Sequence, residues 1–250
     1  MKITFLGTSH GVPSRGRNCS AAMLETGGAI YFIDGGAPLI EEFLKIKSEE
    51  DLKKIRGIFT THAHSDHTVG ILHMATLMDW FYKLPLDIYL TEMGIADAMS
   101  NFYTACKSDS RAFNPELIHF HLETSDFVYE DENLKISFIP TAHMQSFGRP
   151  SFAILVEAEG KRVLFSGDLS QNLEKNDVPK IVTEEHLDLF VCEMAHFPLS
   201  LLYPTLLNCK ADRVYINHIW RAPKFDEILR VSRDFSFELR TLDDGDVIKL

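Results

Sequence analysis

The sequence predicts an α/β protein in which two sheets pack face to face beneath helical outer layers. Three observations predict it. Strand-like runs come in series, with helical patterns before and after them. Many of these runs end in turns rich in His, Asp and Gly. Hydrophobic residues make up 45% and charged residues 24% of 250, the balance of a packed globular chain and not of a disordered one. A chain this long buries roughly 70–75% of its unfolded surface, so its core needs no disulfide staples. One domain spanning 1–250 is expected.

Taken in order, Lys2–Leu6 reads as a strand, followed by a Gly/Pro/Ser loop over Gly7–Gly16. Ala21–Glu25 and Ala29–Ile33 form a hairpin around Gly27-Gly28. Pro38–Lys47 has helical spacing, and Ser48 caps a short second helix with Asp51 in the capping-box position. Ile55–Phe59 is a strand that runs into Thr60-Thr61-His62. Ile71, Leu72, Ala75, Met78 and Phe81 give Val69–Phe81 a helical period, and Ile95–Cys106 is a further helix. From there to residue 130 the pattern is irregular, and Asn101–Asn114 is either a lid or surface decoration. Leu134–Ile139, Ser151–Glu157 and Arg162–Phe165 are strands, the last two joined by a turn at Glu159-Gly160. Leu189–Cys192 and Arg213–Ile216 follow helical patterns, and Phe235–Leu239 and Asp246–Leu250 close the chain as strands.

Composition excludes several classes. A net charge of −11 disfavours a broad nucleic-acid surface, which needs basic patches to displace counterions. No apolar run approaches the ~20 residues of a membrane span, and MKITFLGTSHGVPS reaches Gly and Ser too early for a signal peptide. Cys19, Cys106, Cys192 and Cys209 form no C-x-x-C pair and fit a reducing cytoplasm.

The chemistry concentrates in His62-Ala63-His64-Ser65-Asp66-His67, four potential ligands within six residues directly after a strand. A helix would scatter them, so a strand-end loop is expected. Imidazole nitrogen with carboxylate oxygen suits zinc, manganese or iron. His143, Asp168 and His218 each follow an apolar run in the same way and supply the partners that two ions would need.

The run His62-x-His64-x-Asp66-His67, with His143, Asp168 and His218 in order after it, resembles the signature of the metallo-β-lactamase superfamily. Asp34 matches its first acidic position. The resemblance implies an αββα four-layer sandwich with a binuclear site at one edge of the sheets. His62, His64 and His143 would bind one divalent ion; Asp66, His67 and His218 the other; Asp168 would bridge them. Asp34 would orient ligands. Two ions ~3.5–4 Å apart can hold a hydroxide between them. Two ions, two aspartates and that hydroxide leave one positive charge, which attracts a small anionic substrate. Zn2+ or Mn2+ is expected, with Fe as a further candidate.

The opening Leu6-Gly-Thr-Ser-His-Gly-Val-Pro resembles ribonuclease Z and the cyclic phosphodiesterase of the phosphonate pathway. Two features depart from ribonuclease Z. The stretch from His143 to Asp168 is taken up by a strand pair, leaving no room for an RNA-gripping arm. His-Glu-Ala-Thr is replaced by Val191-Cys-Glu-Met-Ala-His196, which is more similar to the phosphonate-pathway enzyme. His196 is therefore the main catalytic candidate beside Asp66, as a general acid or a stabiliser of charge on the phosphoryl oxygens, the alternative being a structural histidine at a strand end; Glu193 either orients it or packs as a satisfied carboxylate. Arg149 and Arg221 are candidates to meet phosphate, or surface residues. His10, His73, His119, His121 and His186 are assigned surface or structural roles. The expectation is a phosphodiesterase for a small or cyclic phosphodiester, as a possible homodimer. Alternatives are a thioester or lactone hydrolase, or a ribonuclease Z-like nuclease lacking the arm.

Overall fold

The computed structural model describes the chain apart from residues 13, 14, 108, 172, 174–176, 221 and 222 and the side chain of Pro223. Fourteen strands among the described residues form two seven-stranded sheets. The first contains β1 (Lys2–Gly7), β2 (Ala21–Thr26), β3 (Ala29–Ile33), β4 (Ile55–Phe59), β5 (Leu86–Leu90) and β6 (Ile118–Leu122) side by side in that order. The second contains β7 (Val128–Glu130), β8 (Lys135–Pro140), β9 (Phe152–Ala158), β10 (Lys161–Phe165), β11 (Leu189–Met194), β12 (Arg213–Ile219) and β13 (Glu238–Thr241). The last strand, β14 (Val247–Lys249), returns to the first sheet and pairs antiparallel with β1, so the two halves are tied end to end.

Each sheet begins with antiparallel hairpins and continues in parallel: β3 to β6 in the first, β10 to β13 in the second. Parallel strands need helical crossovers. In the first half these are α1 (Leu39–Ile46), α2 (Ser65–Leu77) and α3 (Met93–Cys106); in the second, α4 (Ile181–Glu184), α5 (Leu199–Leu206) and α6 (Pro223–Val231). Strand alternation separates three cores. Ile3, Phe5, Leu24, Tyr31 and Phe59 meet Ile136, Phe138, Ile154, Val163 and Phe165 between the sheets. Met23, Phe32 and Ile58 pack outward against Phe43, Ile71 and Met74 of the first helical layer. Phe190, Cys192 and Ile216 do the same against Leu202, Leu206 and Ile228. The result is the αββα four-layer sandwich.

Several expectations shift. The helix expected from Val69 begins at Ser65, so Asp66 and His67 lie in its first turn and not in a strand-end loop. Its apolar stripe starts late because the first turn faces the site instead of the core. β6 and β7 occupy the stretch that read as irregular, and β5, ahead of it, is a strand the sequence does not announce. β13 lies a few residues beyond Phe235–Leu239. The Ser48–Asp51 capping box is present, with Asp51 Oδ2 accepting from Ser48 N–H and Oγ at 3.0 and 2.8 Å.

Glu123, just after β6, is 2% exposed and neither carboxylate oxygen has a hydrogen-bonding partner. Burial first, and the charge of Asp34 second, push its pKa well above the ordinary carboxylate range. The folded protein therefore keeps a proton that the unfolded chain releases near pH 4.3. Stability should fall as pH rises above that point, by up to about 1.4 kcal/mol per unit, until Glu123 ionises in the folded state. Glu123→Gln should remove this slope. Urea unfolding across pH compares the two proteins, and parallel stability curves would contradict the assignment.

Candidate metal centre

The C-terminal ends of β3, β4, β8, β10, β11 and β12 converge on one edge of the sandwich, and each delivers a polar side chain there. β3 delivers Asp34, in a left-handed backbone conformation (φ 60°). Its carboxylate accepts from the Thr61 N–H (2.8 Å) and the Thr61 hydroxyl, and faces His67 Nδ1 at 2.7 Å. β4 leads into His62 and His64. The start of α2 is pinned beneath the Gly35-Gly36 turn by hydrogen bonds from Gly35 N–H to His67 O and from Ile71 N–H to Gly35 O. The approach is so close that a Cβ on Gly70 would sit 2.5 Å from Gly36 O. β8 delivers His143, β10 Asp168, β11 Glu193 and His196, and β12 His218.

The seven predicted ligands form two groups. His62, His64, His143 and Asp168 bring one donor atom each within 4.8 Å of one another, and Asp66, His67 and His218 do likewise. His64 Nδ1 lies 3.0 Å from His62 Nε2 and 3.3 Å from His143 Nε2. Asp168 Oδ1 is 3.4 Å from His67 Nε2, and its Oδ2 is 3.3 Å from His218 Nε2 and 3.6 Å from His62 Nε2. Asp66 Oδ2 stands 3.5 Å from His67 Nε2 and 3.7 Å from His218 Nε2. Metal–nitrogen bonds of about 2.0–2.1 Å set tetrahedral neighbours about 3.3 Å apart, so these separations suit ligands around an ion. His67 Nε2 and Asp168 Oδ1 are buried and make no hydrogen bond, as donors aimed at a cation would be. The residues therefore fit divalent metal.

Outer contacts hold the rings. His62 Nδ1 lies 3.0 Å from Thr61 Oγ1, His67 Nδ1 meets Asp34, and His143 Nδ1 donates to Leu169 O at 3.1 Å. Such partners fix the tautomer that presents the other nitrogen to the ion. Asp177, which the sequence reading missed, accepts from Ala142 N–H (2.5 Å) and Ser170 N–H (2.6 Å) and so ties the His143 loop to the Asp168 loop. No spacing rule links these positions; only the fold brings them together.

Electrostatics follow burial. Desolvation, then neighbouring imidazoles, lowers the pKa of His62; desolvation does the same for His64 and His143, leaving them neutral and ready to ligate. At His67 burial is outweighed by Asp34 and Asp168, which hold its pKa well above the usual value. Burial opposes ionisation of Asp66, yet the close His67 and His218 imidazoles bring its pKa down to about 2. Asp168 lies well below the usual range because His218, His67 and His62 outweigh its burial.

His196 stands at the mouth. Its Nδ1 is 2.9 Å from Glu193 Oε1 and its Nε2 is 3.8 Å from Asp168 Oδ2. Glu193 also accepts from the Leu169 and Ala195 N–H groups, so one buried carboxylate organises both the Asp168 loop and His196. Burial lowers the His196 pKa, but the Glu193 hydrogen bond and charge override it and push it up to about 9. A pocket of about 270 Å3 is lined by His10, Val12, His64, Asp66, Asp168, His196, His218 and Trp220.

His10, assigned to a surface or structural role, is 6% exposed and lines this pocket, its ring edge-on to His218 at 6.3 Å. His73, His119, His121 and His186 instead pair with the carboxylates of Glu41, Asp87 and Asp212. Arg149 is bound to Glu92 at 2.8 and 3.0 Å, a pairing that competes with any phosphate role. Arg221 lies outside the described residues. The described part of Asn101–Asn114 ends α3 and packs around Asp79, with Tyr103 and Arg111 on its carboxylate, away from the residues that line this pocket. Among the described residues, no helix is long and apolar enough to cross a membrane.

The fold matches known structures along its whole length. YhfI from Bacillus subtilis, a metallo-β-lactamase fold protein, superposes with a TM-score of 0.75 at 16% identity, covering 99% of each chain. The human short-form tRNase Z gives 0.72 at 21% identity over 100% of this chain and 99% of that one. A diphosphatase of the PhnP family gives 0.70 at 17% over 100% and 97%. At these identities the likeness concerns the fold. Among curated proteins, ribonuclease Z of Synechococcus sp. (strain CC9311) is 29% identical over 188 residues, 70% of this chain and 54% of its own. Ribonuclease Z of Methanocaldococcus jannaschii is 30% identical over 163 residues, 62% and 47%. The chain spans about half the length of the curated relatives it matches. A family profile described as Anti-Pycsar protein Apyc1 matches residues 1–200, a stretch that carries β1 through β11 and six of the seven clustered ligands. With the sandwich, the ordered His/Asp positions and that match in agreement, the chain has the metallo-β-lactamase fold and belongs to the Anti-Pycsar protein Apyc1 family.

Proposed function

We propose that the protein is a binuclear metal-dependent hydrolase, a phosphodiesterase acting on a small or cyclic phosphodiester. The observation that carries this reading is the meeting of two donor groups at one carboxylate, Asp168, on the floor of a pocket that also presents His196. His62, His64 and His143 would hold one ion and Asp66, His67 and His218 the second, with Asp168 standing between the two groups. Zn2+ or Mn2+ bound there would supply Lewis acidity to a phosphoryl oxygen and would lower the pKa of water toward neutrality.

The chain's own residues do the rest. Asp34, Thr61 and the Leu169 carbonyl hold the ligating rings in place. His196, steadied by Glu193 through Nδ1, presents Nε2 to the pocket and donates its proton to the departing oxygen. At about 270 Å3 the pocket is slightly smaller than the ~300–1,000 Å3 usual for small-molecule sites, which favours a compact phosphodiester over a long polymer. The hairpin of β9 and β10 fills the stretch between His143 and Asp168, so no arm for gripping RNA stands there. The ribonuclease Z relatives keep short RNA as the second substrate class to be tried. A homodimer and a cytoplasmic setting belong to the same reading: Val69 of α2, Trp80 in the turn after it and Phe102 of α3 are exposed apolar residues, and all four cysteines are free.

The test is turnover of bis(p-nitrophenyl) phosphate by protein loaded separately with zinc and manganese, then of cyclic nucleotides and short RNAs. Metal-dependent turnover is expected, with small or cyclic diesters outpacing RNA. No turnover of any phosphodiester by protein that holds two ions would shift the assignment to thioester or lactone substrates.

A further inference from the structure

We propose that a buried water, held between Asn217 Oδ1 and His218 Nδ1, is the missing outer partner that aims the His218 imidazole at the metal site. The inference rests on the reading of His218 as a metal ligand.

It starts from the backbone. Where β11 pairs with β12, Glu193 opposes Asn217 and Met194 opposes Ile219, so His218 is an extra residue, with φ 51°. In a regular strand neighbouring side chains face opposite sides of the sheet. The bulge breaks that alternation, and Asn217 and His218 line one cavity beneath the site. The cavity has a volume of about 30 Å3 and is walled on its polar side by Asp34, Thr61, Ser166 and Glu193. A buried water needs about 10–15 Å3 and two to four polar partners, so one or two fit.

Two atoms ask for such a partner. Asn217 Oδ1 and His218 Nδ1 are both buried, and neither is hydrogen-bonded to another protein group. His218 itself is 3% exposed. This sets it apart from His62, His67 and His143, whose far nitrogens meet Thr61, Asp34 and Leu169 O. With Nε2 toward Asp66 and Asp168, the ring proton sits on Nδ1. A water accepts that proton's hydrogen bond and donates to Asn217 Oδ1. Both orphaned groups are satisfied, and the tautomer with a free Nε2 is fixed.

Asn217→Leu keeps the approximate volume and removes the acceptor. In chelator-competition titrations with zinc alone, it should weaken one of two sites by about 10–100-fold, the usual cost of losing an outer partner, and leave the other unchanged. Asn217→Asp keeps an acceptor and should bind both ions at least as well as the parent protein. Melting of the metal-free proteins checks that the variants fold. If Asn217→Leu fails to fold, a high-resolution crystal structure of the zinc-loaded parent decides. Density for an ordered water within hydrogen-bond reach of both atoms is expected; a dry cavity, or a direct Asn217–His218 bond, overturns the proposal. Parent protein that binds no zinc overturns the metal-site reading itself. Tight zinc binding that Asn217→Leu leaves unchanged overturns the water alone.

Discussion

Asp168→Ala is expected to cost the protein tightly bound metal and to lower phosphodiester turnover by more than about 10^3-fold. The size follows from position. Removing one electrostatic contact from a water-poor active site costs about 10^2–10^3-fold. Asp168 is 3% exposed, and its two oxygens face His62, His67, His143 and His218 at 3.3 to 3.7 Å, so on the proposed reading both donor groups would lose a shared ligand at once. Asp168→Asn separates charge from packing: it keeps the shape but removes the negative charge that offsets two dications. It should therefore behave nearly as badly as alanine, whereas a residue needed only for packing would tolerate the amide. Metal content by elemental analysis and steady-state rates read the two effects independently. Either variant holding two ions per chain at parental turnover would show that the ligand set is wrong.

How far the sequence foretold this site depends on which residues carried a local signal. His62, His64, Asp66 and His67 did, because four donors in six positions have few bland explanations. His143, Asp168 and His218 did so only by their shared place after an apolar run. Asp66 and His67 were read in the wrong element: hydrophobic periodicity marks the helical face on a core, and the first turn of α2 faces the site. There the acidic Asp66 also suits the positive end of the helix. β6 was missed although Ile118, Phe120 and Leu122 alternate with polar positions, because those positions are His119 and His121. On this strand they reach across to Asp87 of β5. Asp177, Thr61 and His10 had no legible signal. Their contacts cross between loops that are adjacent only after both sheets have formed, so topology places them and spacing cannot.

His196→Ala should separate the chemistry of His196 from that of the metal ligands. With an alkoxide leaving group, kcat should fall by about 10^2–10^4-fold, the range for a positioned general acid, while metal content stays at the parental level. With p-nitrophenolate, a stable anion that needs no proton, the loss should be less than about tenfold. A ligand variant would damage both substrates alike, so the contrast between leaving groups is the diagnostic. Glu193 supplies a second handle. Its hydrogen bond and charge raise the His196 pKa, and a bound cation works against them. A general acid works in its protonated form, so the rate declines as pH rises through its pKa. Glu193→Gln weakens the force that holds the proton and should move that alkaline limb to lower pH. Asp168 and Leu169 also depend on the loop that Glu193 braces, so some loss of kcat at every pH is expected with it. A uniform loss with no displaced limb would make Glu193 a brace only. Equal losses on both leaving groups in His196→Ala would remove the general acid from the mechanism and leave His196 to neutralise charge on the phosphoryl oxygens.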